Sequence, residues 1–156
     1  MKLILIFIIS GLICYIGFKI SGQYRQKQNF YENFCKFLIY LKAEIGFLKS
    51  DLIQILSNYS TNDSNLKKLL NNYIQFLQKN EYVDLQILND DENFELMEFI
   101  QNISKSDCYS IENIIEKYQA IFNKKLENSK QNYLKSGVLY KKLSILLAIF
   151  VCIVLL

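Results

Sequence analysis

"IENIIEKYQAIFNKKLENSKQNYLKSGVLYKKLSILLAIFVCIVLL", residues 111–156, carries the fold in its spacing. Ile111, Ile115, Tyr118, Phe122, Leu126, Ser129, Tyr133 and Tyr140 recur at steps of three, four and seven, which draws one stripe along a helix. No proline interrupts the stripe, and Gly137 stands alone within it. After Lys142 the charges stop, and Leu143–Leu156 is apolar apart from Ser144. The spacing predicts one helix from about Cys108, packed at first against other helices and then continuous with a membrane segment.

The other end has the same plan. "LILIFIISGLICYIGF", Leu3–Phe18, contains no charge and only Ser10 as a clearly polar residue. A spanning helix needs about 20 mostly apolar residues, and Leu3–Ile20 approaches that if Lys19 snorkels to the headgroups. A cleaved signal peptide is the competing reading. Its apolar region would be unusually long, and no clear small-x-small cleavage site follows, so a retained anchor is expected. At the far end, Leu143–Leu156 makes roughly 21 Å of helix against a hydrocarbon core of about 30 Å. Either it spans with help from snorkelling Lys141 and Lys142, an interfacial Tyr140 and a thinned bilayer, or it enters partway, packed on another helix.

Between the ends the pattern is helical throughout. The chain of 156 residues has no proline and five glycines, so few positions break a helix. Phe30, Phe34, Phe37, Leu38, Leu41, Ile45 and Leu48 form a stripe on a helix that only Gly17 and Gly22 separate from the first anchor. Ser50 is a candidate N-cap for a short helix with Leu52, Ile53, Ile55 and Leu56. "NYSTNDSN" reads as a polar loop, after which Asp63 or Ser64 caps a helix bearing Leu66, Leu69, Leu70, Tyr73 and Leu77. "NDDEN" places acids at the start of a helix carrying Phe94, Met97, Phe99, Ile100 and Ile103, and "SKSD" is the last break. The expected fold is all-α: an antiparallel helical bundle whose long first and last helices continue into N- and C-terminal membrane segments. The expected division is residues 1–20 as a transmembrane helix, 21–142 as a cytoplasmic bundle and 143–156 as a short membrane segment.

Charge is segregated along the chain. Lys19, Arg25 and Lys27 follow the first apolar run with no acid among them, and the lysines from Lys124 to Lys142 face a single acid, Glu127. Between Glu81 and Glu116 lie ten acids and one lysine, Lys105. Basic flanks on the inner side of both apolar runs place the middle of the chain in the cytoplasm by the positive-inside rule. The net charge of +3 is too small to suggest a nucleic-acid partner. Four cysteines with no CxxC pair fit a reducing compartment.

Catalytic constellations are missing. Without histidine there is no Ser-His-Asp triad, Cys-His pair or His-based metal site. No phosphate-binding glycine loop occurs. Asp90, Asp91, Glu92, Glu95 and Glu98 could attract a hard cation, but no EF-hand loop accompanies them, and they read as a helix start plus an acidic surface for a soluble partner. No cofactor is expected. Lys135, Tyr140, Lys141 and Lys142 are candidates for contact with the membrane or a partner. Ser144 and Ala148 join them, because their small-xxx-small spacing lets helices approach closely in lipid.

The tail "LYKKLSILLAIFVCIVLL" resembles the C-terminal signature of the stage III sporulation protein AB family of endospore-forming bacteria: a tyrosine, a basic residue, then a short Leu/Ile/Val run. Tyr140, Lys141 and Leu143 match it. "YLKAEIGF", Tyr40–Phe47, is similar to the family's early Leu-x-Ala-Glu-Ile core. "SKSDCYSIENI" is similar to its Gly-x-x-Asp stretch, with Asp107 as the matching acid. The family's tail glycines stand here as Ser144 and Ala148, and those near Asp107 are absent. The resemblance implies a non-enzymatic subunit of a secretion-like channel complex between mother cell and forespore, similar to the F-type platform proteins of type II secretion. It implies other membrane subunits and a secretion-type ATPase as partners, with the bulk of the chain on the mother-cell cytoplasmic side; whether the chain also forms an oligomer is left open by the sequence. Two other readings stand beside it: an exported, membrane-anchored helical interaction protein, and a two-helix membrane sensor or regulator.

Overall fold

The computed structural model describes residues 2–48, 52–79, 88, 90–106 and 108–155. Helix α1 spans Lys2–Leu48, α2 Leu52–Asn58, α3 Ser64–Lys79, α4 Asp90–Lys105 and α5 Cys108–Asn132. A π-helical turn, Tyr133–Gly137, joins α5 directly to α6, Val138–Leu155. No strand occurs among the described residues, and the chain is all-α as its periodicity predicts. Gly17 and Gly22 do not break α1. Each costs only about 1 kcal/mol relative to alanine, too little to end a helix of 47 residues. The candidate cap Ser50 and the candidate family acid Asp107 lie outside the described residues.

The chain divides into two compact units, Asn29–Lys125 and the pair of segments Met1–Gln28 and Leu126–Leu156. Hydropathy alone suggests cuts at 20/21 and 142/143, where charge begins. Packing groups a further stretch of each long helix with the apolar ends.

Within Asn29–Lys125 the core is aromatic. Helix α1 contributes Phe30, Tyr31, Phe34, Phe37, Leu38, Leu41 and Ile45, all buried. Phe34 has no exposed surface, and its ring lies edge-on to Phe122 of α5 at 4.6 Å and to Phe99 of α4 at 5.7 Å. Edge-to-face pairs of this kind add about 0.5–1.5 kcal/mol each beyond the area they bury. Asp63 is the N-cap of α3: its Oδ1 accepts the N–H groups of Asn65 at 2.9 Å and Leu66 at 3.0 Å. On α4 the buried stripe is Leu96, Phe99, Ile100 and Ile103. Phe94, expected to join it, is 71% exposed, because two residues of α-helix carry it about 200° away from Leu96.

In the other unit, α1 runs antiparallel to the α5–α6 rod: Gly17 meets Ser144, whereas Tyr24, seven residues later, stacks on Tyr140 and neighbours Gly137. Ile6, Gly17 and Ser21 are buried on α1; Ser129, Gly137, Ser144 and Ala148 are buried opposite. A strict heptad from Ser129 would continue to Ser136 and Leu143. The buried positions are instead Gly137 and Ser144, one residue later. The π turn absorbs that residue, with Val138 N–H donating to Tyr133 C=O across five positions. The stripe expected to run through Tyr140 is therefore displaced, and Tyr140 is 43% exposed.

Candidate functional site

The helix pair packs through small residues. Gly17 has no Cβ, which lets Ser144 approach the α1 backbone; a Cβ built there would overlap both Ser144 Cβ and Ser144 Oγ and lie 3.1 Å from Tyr140 O. Gly137 is the counterpart on the other rod, where a Cβ would sit 3.2 Å from Tyr24 Cβ. Two buried hydroxyls of the α5–α6 rod are satisfied within their own helix. Ser144 Oγ donates to Lys141 O and Ser129 Oγ to Leu126 O, both at 2.9 Å, so neither needs water or a partner. Farther along, an open apolar groove of about 420 Å³ is flanked by Gly11 and Cys14 on α1 and by Ala148 and Cys152 on α6.

Around the seam, apolar side chains face outward. Ile4, Leu5, Phe7, Ile8 and Leu12 of α1 and Leu146, Phe150, Ile153 and Val154 of α6 are all more than half exposed. α1 and the α5–α6 rod are each long and apolar enough to cross a membrane, and only 17% and 11% of their apolar windows are buried. The core helix of a soluble protein is mostly buried; these are not.

The candidate basic and aromatic residues lie on this unit's surface. Lys135 and Lys142 are exposed. Lys141 Nζ sits over the Phe18 ring, 5.0 Å from its centroid, and Tyr140 stacks on Tyr24 at 6.4 Å. Ser144 and Ala148 are 6% and 7% exposed, turned towards the chain's own α1.

The acidic candidates in Asn29–Lys125 separate into two sets. Asp91 and Glu98 face outward. Glu92 and Glu95 are half-buried: Glu95 pairs with Lys125 of α5, and Glu92 lies beside the Tyr31 phenol of α1. Burial first, and then the Glu92 carboxylate, push that phenol well above its ordinary value. The side chain of Asp90, the first residue of α4, lies outside the described residues. Among the described residues no three His, Cys, Asp or Glu are grouped to hold a metal ion. Sequence reasoning missed Gly17, Gly137, Tyr31 and Lys125. The signal for Gly17 was present in the spacing of Ser10, Cys14, Gly17 and Ser21, four small residues at steps of four, three and four.

The family model for stage III sporulation protein AB matches residues 2–156. The chain belongs to the stage III sporulation protein AB family. No curated protein and no solved structure gives a match. Stage III sporulation protein AB is a sporulation assembly family rather than a known enzyme family. The apolar helices of this member fit a sporulation protein associated with a membrane.

Proposed function

We propose that this protein is a non-enzymatic platform subunit of a secretion-like channel complex between mother cell and forespore. Residues 1–20 and 143–156 lie in the membrane, and residues 21–142 lie on the mother-cell cytoplasmic side. The outward acids Asp91 and Glu98 belong to a surface that engages a secretion-type ATPase, and the membrane helices contact other membrane subunits. The observation that carries this reading is charge segregation. The unit containing both apolar ends has eight basic residues and one acid, Glu127, whereas Asn29–Lys125 has ten basic residues and fourteen acids. A basic flank beside each apolar run marks the cytoplasmic side, and the acid-rich bundle lies between the two flanks in the chain.

The test is sidedness, then contact. A single cysteine replaces Lys79, exposed at the end of α3, in a cysteine-free background. Intact sporulating cells are treated with a membrane-impermeant thiol reagent. Labelling only after lysis supports the cytoplasmic bundle; labelling of intact cells overturns it in favour of an exported protein. With the side established, a photo-crosslinker at Asp91 or Glu98 is expected to capture a secretion-type ATPase. Capture of membrane subunits alone would remove the ATPase contact.

A further inference from the structure

The seam fixes the height of the charges as well as the helices. Gly17 and Ser144 are in contact, so Lys19, two residues along α1, and Lys141 and Lys142, three and two residues back along α6, fall within one helical turn of that level. Arg25 follows about 12 Å farther from it, at eight residues of 1.5 Å rise. Most of the outward apolar side chains lie on the other side of Gly17 and Ser144, from Ile16 down to Ile4 on α1 and from Ile145 to Leu155 on α6, while Leu134, Leu139 and Leu143 are exposed on the side of the cations. Phe18, Tyr24 and Tyr140 stand among the cations, as aromatic residues do at the boundary between hydrocarbon and headgroups. Lys19, Arg25, Lys141 and Lys142 are exposed and make no ion pair among the described residues. The only acid in the unit, Glu127, lies fourteen residues before Lys141.

We propose that Lys19, Arg25, Lys141 and Lys142 form a collar that binds the phosphate groups of anionic phospholipids in the leaflet at their level. The collar is preorganised on one side, because the Phe18 ring holds Lys141 in place instead of a carboxylate. Unlike Lys125, which Glu95 neutralises, these four cations have their charge available to a ligand. Basic residues at a membrane surface favour anionic lipid by about fivefold each. This inference rests on the membrane placement of the helix pair and not on the ATPase contact.

The experiment uses the full chain in lipid nanodiscs, with native mass spectrometry counting retained phosphatidylglycerol against phosphatidylcholine. Wild-type protein is expected to retain phosphatidylglycerol at least about tenfold more strongly, with the preference falling as sodium chloride rises. The variant Lys19→Gln/Lys141→Gln/Lys142→Gln is expected to lose that preference at unchanged helix content. The control Lys67→Gln/Lys68→Gln/Lys79→Gln, which removes the same charge from exposed positions of α3, keeps it. Equal retention of the two lipids by wild-type protein overturns the collar, and so does a preference surviving in the collar variant or lost equally in the control. Displacement by inorganic phosphate beyond that caused by chloride at matched ionic strength would point to a free-phosphate site and overturn the lipid assignment. Entry into phosphatidylcholine discs without lipid preference leaves the membrane reading standing and the collar refuted; failure to enter any disc refutes both.

Discussion

Replacing glycines with alanine one at a time separates close packing from helix propensity in the apolar pair. In an open helical position Gly→Ala gains about 0.8–1.0 kcal/mol from propensity alone. Gly11 and Gly22 meet that condition, since a Cβ at either has nothing within 4 Å. Gly17 does not: its Cβ would overlap Ser144 Cβ and Oγ and press on Tyr140 O at 3.1 Å. The obstruction is not the far end of a flexible chain, because Cβ moves only with its helix. The two helices must separate, and overpacking of this kind costs about 1–3 kcal/mol. Gly17→Ala is therefore expected to lie about 1–3 kcal/mol below Gly11→Ala. Ser144→Gly removes both overlapping atoms, so Gly17→Ala/Ser144→Gly is expected to recover most of the loss. The assay is a double-mutant cycle of thermal unfolding in detergent, followed by near-ultraviolet circular dichroism of the tyrosines. If Gly17→Ala matches Gly11→Ala, or if Ser144→Gly gives no rescue, the seam as described is wrong.

Two further predictions concern the π turn and the aromatic bundle. Deleting Ser136 turns the π turn into an α turn without changing the face of anything after it, so stability is expected to stay within about 1 kcal/mol of wild type. Inserting one alanine after Ser136 rotates α6 by about 100° and is expected to cost as much as Gly17→Ala; equal melting temperatures for the deletion and the insertion would refute the π-turn account. In the bundle, burial pushes the Tyr73 phenol well up, and its hydroxyl donates to Ile100 O at 3.3 Å. An unfolded tyrosine ionises near pH 10. The folded value lies higher, so the contribution of Tyr73 is complete below about pH 10 and is lost as pH rises towards the folded value. Over that window its stabilisation falls by about 1.4 kcal/mol per pH unit. Urea unfolding between about pH 9.5 and 11.5 should show a shallower decline for Tyr73→Phe, and identical slopes would contradict the assignment.

Much of this fold was legible in the spacing of Phe30, Phe34, Phe37 and Leu41 on the first helix and of Ile115, Tyr118 and Phe122 on the last. Those steps of three and four come from large apolar residues, and burying them dominates the energetics, so the pattern survives tertiary packing. Phe94 misled because hydrophobicity alone does not give phase; Leu96, two residues on, occupies the inward face. The seam was only half legible. Ser144 and Ala148 signalled close approach, but their partner Gly17 looked like a weak break rather than a packing surface, because a glycine has no side chain to place in a stripe. The acidic cluster could not be divided from sequence. Glu92 and Glu95 turn inward because Tyr31 and Lys125 await them on other helices, and no local pattern encodes that pairing.

The single extra residue between Tyr133 and Gly137 makes the last helix a device with discrete angular settings. Wound as a plain α-helix, it would offer Ser136, Leu143 and Leu147 to α1. Two leucines facing Gly17 leave no room for the backbones to meet. Wound with the π turn, it offers Gly137, Ser144 and Ala148, and the helices close. Shape selection at Gly17 thus chooses between windings about 100° apart while the length changes by only about 1.5 Å. What the small residues store is consequently an angle: they set which side chains point outward to lipid or to a neighbouring subunit, even though they touch neither.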